Sequence, residues 1–297
     1  MPKHRTAIRN RLEAFLVDAV RSGLARRTPE GAESTGRALG RLYRRLDGRR
    51  RSLARENLSR AFPELSAAEV EALSVRCFEH FGGVAGELAH ALSHDPADAL
   101  QRVETEGETH AKDAFATGRG VFFLTAHLGN WEWAARGTGA RGISLGVVAR
   151  PLDNPLLDAT FTRLRSSTGN TVIEKRDAAR GMLRALRKGG AIGILNDQHA
   201  HPPDAVTAPF FGRPAATSSA LARIVDRTEA LVVPTEAIRV GPARWRLTWH
   251  APLDVLDLSP EDRGVEKLSA RLNGILETMI RRHPEQWLWL HNRWRLD

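Results

Sequence analysis

Arg119-Gly-Val-Phe-Phe-Leu-Thr-Ala-His-Leu-Gly-Asn-Trp-Glu-Trp133 is the stretch whose reading decides the fold. Gly120 opens a short apolar run of strand character, Val121 to Ala126. The run ends on His127, and Glu132 follows in what reads as the first turn of a helix. A histidine at the carboxyl end of a buried strand points into the crevice where open α/β sheets bind their ligands. Glu132, one turn further on, is expected to accept the second ring N–H of His127, fixing its tautomer and raising the basicity of the other nitrogen. Such a pair can take a proton from an alcohol while it attacks an acyl group. Gly129 removes a side chain where a substrate would have to approach. Asn130 is placed to cap the following helix, whose exposed N–H groups offer positive potential to a developing oxyanion. The same dipole favours the ionised form of Glu132. A lone histidine at a strand end is more often structural, so the case for chemistry rests on these neighbours.

Working outward, strand and helix signals alternate from Gly120 on. Val121–Ala126, Ile143–Ala149, Thr171–Glu174, Ala191–Asn196 and Leu231–Val240 read as strands. Helical stretches lie near Trp131–Arg136, Asn154–Ser167, Asp177–Lys188 and Ser218–Thr228. Arg244–His250 reads as a hairpin partner of the preceding strand, with Gly241-Pro242 as the turn, and a last helix runs from Ser259 to Arg282. The expected fold is α/β: a single domain with a mixed, mostly parallel sheet flanked by helices, plus a helical N-terminal region. That region covers residues 1–100 and packs on a core of residues 101–297; Ser66-Ala-Ala-Glu69 is a capping box opening one of its helices toward Leu92.

The chain has 297 residues, with 44 Lys+Arg against 35 Asp+Glu and a net charge of +9. Such an excess favours anionic partners, whether an acidic protein or an anionic bilayer. Nucleic acid is not expected, because the charge is diffuse and no zinc-finger or aromatic-basic spacing is present. One cysteine, Cys77, excludes a disulfide framework and a cysteine-rich zinc site; it reads as a helical core position. His199-Ala200-His201 has no carboxylate or cysteine partner nearby, so no metal is expected. No segment is apolar enough for a membrane span, and Met1 to Arg27 lacks a signal-peptide core. Ile8, Leu12, Phe15, Leu16 and Ala19 nevertheless share a helical face, with Val20 at its edge and arginines around it. That helix suits an anionic bilayer surface, or equally a packing role on its own domain.

His127-Leu-Gly-Asn-Trp-Glu132 resembles the His-x-x-x-x-Asp/Glu motif of the lipid A biosynthesis acyltransferases, the late lauroyl/myristoyl transferases within the glycerolipid and lysophospholipid acyltransferase-like superfamily. Other blocks match in order. They are Val148-Ala-Arg-Pro-Leu-Asp-Asn-Pro155, Gly193-Ile-Leu-Asn-Asp-Gln198, Pro209-Phe-Phe-Gly-Arg-Pro-Ala-Ala-Thr217 and the Trp-rich Glu285-Gln-Trp-Leu-Trp-Leu-His-Asn-Arg-Trp294. The resemblance runs from about Asn57 to Trp294. The chain departs from it in lacking a hydrophobic anchor helix at its start and a glycine-rich loop at His199–His201.

What the resemblance implies is an O-acyltransferase with no cofactor. It would move a fatty acyl group from acyl-ACP or acyl-CoA to a hydroxyl of a glycolipid acceptor or a lysolipid, working peripherally at the cytoplasmic face of the inner membrane. His127 would be the general base and Glu132 its orienting partner. Substrate-binding candidates are Asn130, Arg150, Asp197, Gln198 and Arg213. A guanidinium at Arg150 suits a phosphate, or pairs with Asp153 or Asp158. Asp197 would bind a sugar or a group behind the reacting atoms, or cap a loop; Arg213, after Gly212, is a second phosphate candidate. Trp287, Trp289 and Trp294 read as core filler or as an interfacial anchor. No Gly-x-Ser-x-Gly elbow supports a serine nucleophile. A lipid-binding protein that has lost its chemistry is the alternative, against which the intact His127 and Glu132 argue.

Overall fold

The computed structural model describes residues 7–174 and 178–295. Five helices come first: α1 (Ala7–Ala25), α2 (Pro29–Leu46), α3 (Gly48–Ala61), α4 (Ala67–Ala91) and α5 (Pro96–Leu100). The core then runs β1 (Val103–Glu106), α6 (Glu108–Ala116), β2 (Val121–Thr125), α7 (Trp131–Gly139), β3 (Leu145–Ala149), α8 (Pro155–Ser166) and β4 (Thr171–Glu174). It continues with α9 (Ala178–Leu186), β5 (Ala191–Leu195), β6 (Ala205–Phe210), β7 (Arg213–Ser218), α10 (Ala220–Thr228), β8 (Leu231–Gly241), β9 (Arg244–Trp249) and α11 (Val265–Arg282). The expected α/β class, mostly parallel sheet and helical N-terminal region are all present.

Seven strands form the main sheet in the order β1-β9-β8-β2-β5-β3-β4. Every pairing is parallel except β8 with β9, the hairpin expected from the turn at Gly241. At the centre of the sheet β2 reads Val-Phe-Phe-Leu-Thr with every residue buried, as a parallel strand covered on both faces requires. Alternation divides it. Phe122 and Leu124 join a core with Met182, Leu186, Leu221 and Leu272 from α9, α10 and α11. Val121 and Phe123 join a second core with Ala111, Trp133 and Ala134 from α6 and α7. These two cores fix the register, because a slip of one residue would exchange the faces.

Some elements differ from the sequence reading. The last helix starts at Val265 rather than Ser259; a short 3-10 turn at Pro260–Asp262 and the extended Gly264 precede it. The start of the expected helix at Asp177 lies outside the described residues, and α9 is described from Ala178. The short β1 and the two-stranded β6–β7 hairpin were not anticipated. The hairpin turns on Phe211-Gly212, both at positive φ, the backbone twist that two-residue hairpins favour.

The helical region is bolted to the sheet. Ser66 and Glu69 form the expected capping box at the start of α4. Two glycine pairs, Gly36 with Gly40 on α2 and Gly82 with Gly86 on α4, let these helices touch backbone to backbone. A Cβ at Gly40 would stand 2.1 Å from the Phe78 carbonyl oxygen, and one at Gly86 2.3 Å from that of Ala32. Arg239 on β8 then meets Glu33 at 3.0 Å and Glu87 at 2.5 Å, all buried. Burial pushes the Glu87 carboxyl up to about 7, against the pull of Arg239.

His80 on α4 is buried, with Nε2 donating to the Gly129 carbonyl at 3.1 Å. Burial, helped by the charge of Arg239, lowers this imidazole to about 3, so the fold holds it neutral. The unfolded chain takes up a proton near pH 6.5 that the fold refuses, so stability is full above that value and falls as pH drops toward 3. Urea unfolding should therefore show the wild type losing about 2 kcal/mol more than His80→Gln between pH 6.5 and 4.5. Equal losses would mean that His80 is not the group that refuses the proton.

Candidate active site

Alternation along two neighbouring strands builds the site. In β2 and β5, Phe123 is in register with Gly193 and Thr125 with Leu195. Two residues beyond that last pair the same face presents His127 and Asp197 side by side. His127 Nδ1 lies 2.9 Å from Asp197 Oδ1, and the His127 backbone N–H donates to Asp197 Oδ2 at 2.9 Å. The Trp287 indole N–H also donates to Oδ2, at 2.8 Å. Burial alone would raise the Asp197 carboxyl, but the charge and hydrogen bonds of His127, with the Trp287 bond, hold it below the usual carboxylate range. A carboxylate acceptor at Nδ1 places the proton there and leaves Nε2 as the basic nitrogen. Gln198 approaches that nitrogen with its amide at 3.3 Å, and Trp131 packs edge-on against the ring at 4.9 Å.

Glu132 does not meet His127 in this arrangement. Its two oxygens are clasped by Arg165 at the end of α8, at 2.6 Å to Nη2 and 3.1 Å to Nε. It is the second residue of α7 and is buried; the carboxylate beside the ring is Asp197. Both His127 and Glu132 line a cavity of about 290 Å³, together with Arg150, Arg165 and Gln198. Its inner wall is apolar, formed by the sheet face beneath α7, where Phe123, Leu145 and Val147 lie. A base at the mouth of an apolar recess lined by arginines can activate a hydroxyl against an acyl group lodged behind it.

Comparison with known proteins identifies the family. The model of the bacterial lipid A biosynthesis acyltransferases matches residues 2–296. The chain belongs to that family. It is 31% identical over 264 residues to the lipid A biosynthesis lauroyltransferase of Escherichia coli K12, covering 88% of this chain and 84% of the relative. The palmitoleoyltransferase of the same organism is 28% identical over 268 residues, 88% of this chain and 83% of its own. The myristoyltransferase is 26% identical over 278 residues, 93% and 85% respectively. The sequence resemblance thus holds over nearly the whole chain, and the protein is by family an acyltransferase.

The remaining candidates of this family member fall into two groups. Arg150 lines the cavity with a largely exposed side chain, 3.4 Å from Asp153. Asp197 and Gln198 both contact the His127 ring, Asp197 from behind it at Nδ1. Asn130 caps α7 through Trp133 N–H at 3.3 Å and is itself buried. Arg213 sits on the β6–β7 hairpin, exposed, with Nε donating to the Arg60 carbonyl, away from the cavity lining. Gly129 serves a different close approach from the one expected. A Cβ there would stand 1.9 Å from the Ala237 carbonyl oxygen of β8, and φ is +60°. The neighbouring strand fills the space assigned to substrate.

The tryptophans are core residues: Trp287, Trp289 and Trp294 are all buried. Trp287 has a second role as the donor that fixes Asp197. His199 and His201 touch edge to face at 4.5 Å, and the His199 backbone N–H donates to His291 Nε2 at 2.9 Å. Burial lowers His291 to about 4, so it stays an acceptor there. Cys77 is buried, with burial pushing its thiol up to about 12. Sequence reasoning missed Arg165, Trp131 and His291. Arg165 lies 33 residues from Glu132, with no local pattern to join them.

The two carboxylates are separable by experiment. In ¹⁵N-histidine spectra, Asp197→Asn should change the tautomer of His127 while Glu132→Gln leaves Nδ1 protonated. Asp197→Asn should also lower kcat on the order of a thousand- to ten-thousandfold, the scale expected for a base held in the wrong tautomer. An unchanged His127 tautomer in Asp197→Asn would transfer the orienting role elsewhere.

Proposed function

We propose that the protein moves a fatty acyl group from an acyl-ACP or acyl-CoA thioester to a hydroxyl of a lipid A-type glycolipid at a membrane surface. The observation that carries the reading is the Asp197–His127 pair set at the mouth of an apolar cavity. The acceptor hydroxyl gives its proton to His127 Nε2 as its oxygen attacks the thioester carbonyl. Arg165, a fixed cation on the cavity wall, supports the oxyanion that forms. The carbon–sulfur bond then breaks, and the thiolate takes the proton back from the imidazolium. Asp197 stays ionised throughout and holds the ring in place. No covalent acyl-enzyme is required. Arg150, exposed at the rim, suits a phosphate of the acceptor or of the donor's phosphopantetheine arm.

Contact with a bilayer is supported by α1. Ile8, Leu12, Phe15 and Val20 are exposed along it, and Leu152 and Leu156 are exposed at the start of α8. The Asn154 amide donates to the Asn10 carbonyl, tying this surface to the helix that carries Arg165. Among the described residues no helix is long and apolar enough to cross a membrane. A helix lying in the interface with arginines flanking its apolar face fits both facts. The relatives are named for different acyl groups, so family membership alone leaves the chain length open.

Purified protein given acyl-CoA or acyl-ACP, with lipid A precursor or lysophospholipid as acceptor, tests the reading directly. Transfer should favour the glycolipid, and His127→Ala should reduce it roughly a hundred- to ten-thousandfold. Full activity in His127→Ala would remove the base. Lipid binding without transfer in the wild type would overturn the proposal.

A further inference from the structure

The cavity follows the strands inward from His127. Thr125 and Leu195 form its first row, Phe123, Gly193 and Val147 its second, and Leu145 stands one row deeper, in register with Ala191. Strand rise puts the second row about 13 Å and Leu145 about 20 Å along the sheet from the level of His127. Ala134 and Ala135 of α7 form the opposite wall. Gly193 alone in its row has no side chain. Glycine weakens a strand interior and usually marks a bulge or a close backbone approach. Neither is present at Gly193. It pairs regularly with Phe123 and Val147. The nearest atoms to a Cβ built there are side-chain carbons, Leu145 Cδ1 at 3.3 Å and Val147 Cγ2 at 3.9 Å. The space above Gly193 is bounded on one side by the Leu145 side chain, which a Cβ would push aside, and opens on the other to the cavity that Gly193 lines.

We propose that Gly193 sets how much of the acyl chain the cavity accepts, with Leu145 closing its far end. The inference rests on the proposed function and assigns its chain-length selectivity to one strand position. A methyl or isopropyl group at Gly193 would stand in the path of the chain between Phe123 and Val147. Trimming Leu145 would lengthen the path.

The test uses the full chain and a graded series of saturated acyl thioesters, on whichever donor type the wild type accepts. The readout is kcat/KM for each length relative to the shortest, which is independent of absolute rate. Gly193→Val should depress the longest accepted chains relative to the shortest by about tenfold or more, since a single methylene in an apolar pocket is worth roughly ten- to two-hundredfold. Gly193→Ala should fall between, and Leu145→Ala should move the optimum to longer chains. Gly193→Ala and Leu145→Ala keep the test open if the valine variant fails to fold. An unchanged length profile in folded variants, or an equal loss at every length, overturns the assignment. A wild type that transfers no acyl chain removes the underlying reading, a failure seen before any variant is made.

Discussion

The parallel register between β2 and β5 is the constraint on which the site depends. With Thr125 opposite Leu195, alternation leaves His127 and Asp197 no choice but to share a face two residues later. Both strands are covered on both sides, so the register is fixed by two hydrophobic cores rather than by the polar pair itself. The Asp197 carboxylate is buried, a state that is costly unless its oxygens are satisfied. His127 and Trp287 satisfy them, from the backbone, the ring and the indole. A carboxylate gripped in this way cannot swing, so the imidazole is held with Nε2 toward the cavity before any substrate arrives.

The helical N-terminal region belongs to this scaffold. His80 of α4 grips the carbonyl of Gly129, two residues beyond the base. Cys77 points its sulfur at the Trp287 carbonyl at 3.3 Å, and the Asn57 amide of α3 donates to the carbonyls of Trp289 and His291 at 2.8 Å. The C-terminal tail that delivers Trp287 is thereby held from beneath by α3 and α4. The glycine contacts between α2 and α4, and the Glu33–Arg239–Glu87 network, fix those helices against β8. Loosening any of these contacts would reach the base through Trp287 and Asp197, although none touches the cavity.

Local pattern made β2, His127 and the capped start of α7 legible, because each is written in consecutive residues. Asp197 and Gln198 directly follow the expected strand Ala191–Asn196, so the same consecutive pattern puts them at that sheet edge. The sequence did not reveal strand order. With β5 inserted between β2 and β3, the residue beside His127 comes from 70 positions away, and a carboxylate five positions away turns to α8 instead. Glu132 misled because nearness in sequence is not contact: at the second position of α7 it lies within reach of Arg165. Gly129 misled in the same manner, since its empty side is filled by Ala237 of β8, more than a hundred residues later. Arg213 follows a glycine, but that glycine serves a hairpin turn and carries the guanidinium away from the cavity.

The two carboxylates near the cavity have divided duties, and their environments explain the division. Asp197 is sealed behind His127, where its charge would act on any proton that the imidazole gains or loses. Glu132 is buried against Arg165, whose charge would be costly on an apolar cavity wall without a partner. Pairing makes the wall close to neutral overall while leaving a guanidinium on it. On the proposed reading, such a wall would tolerate an acyl chain alongside it and still favour a developing oxyanion, because the pair is fixed and the guanidinium keeps N–H groups that Glu132 does not use. The apolar depth beyond it, lined by Phe123, Val147, Gly193 and Leu145, would then set which chain can lie there with the thioester carbonyl at His127.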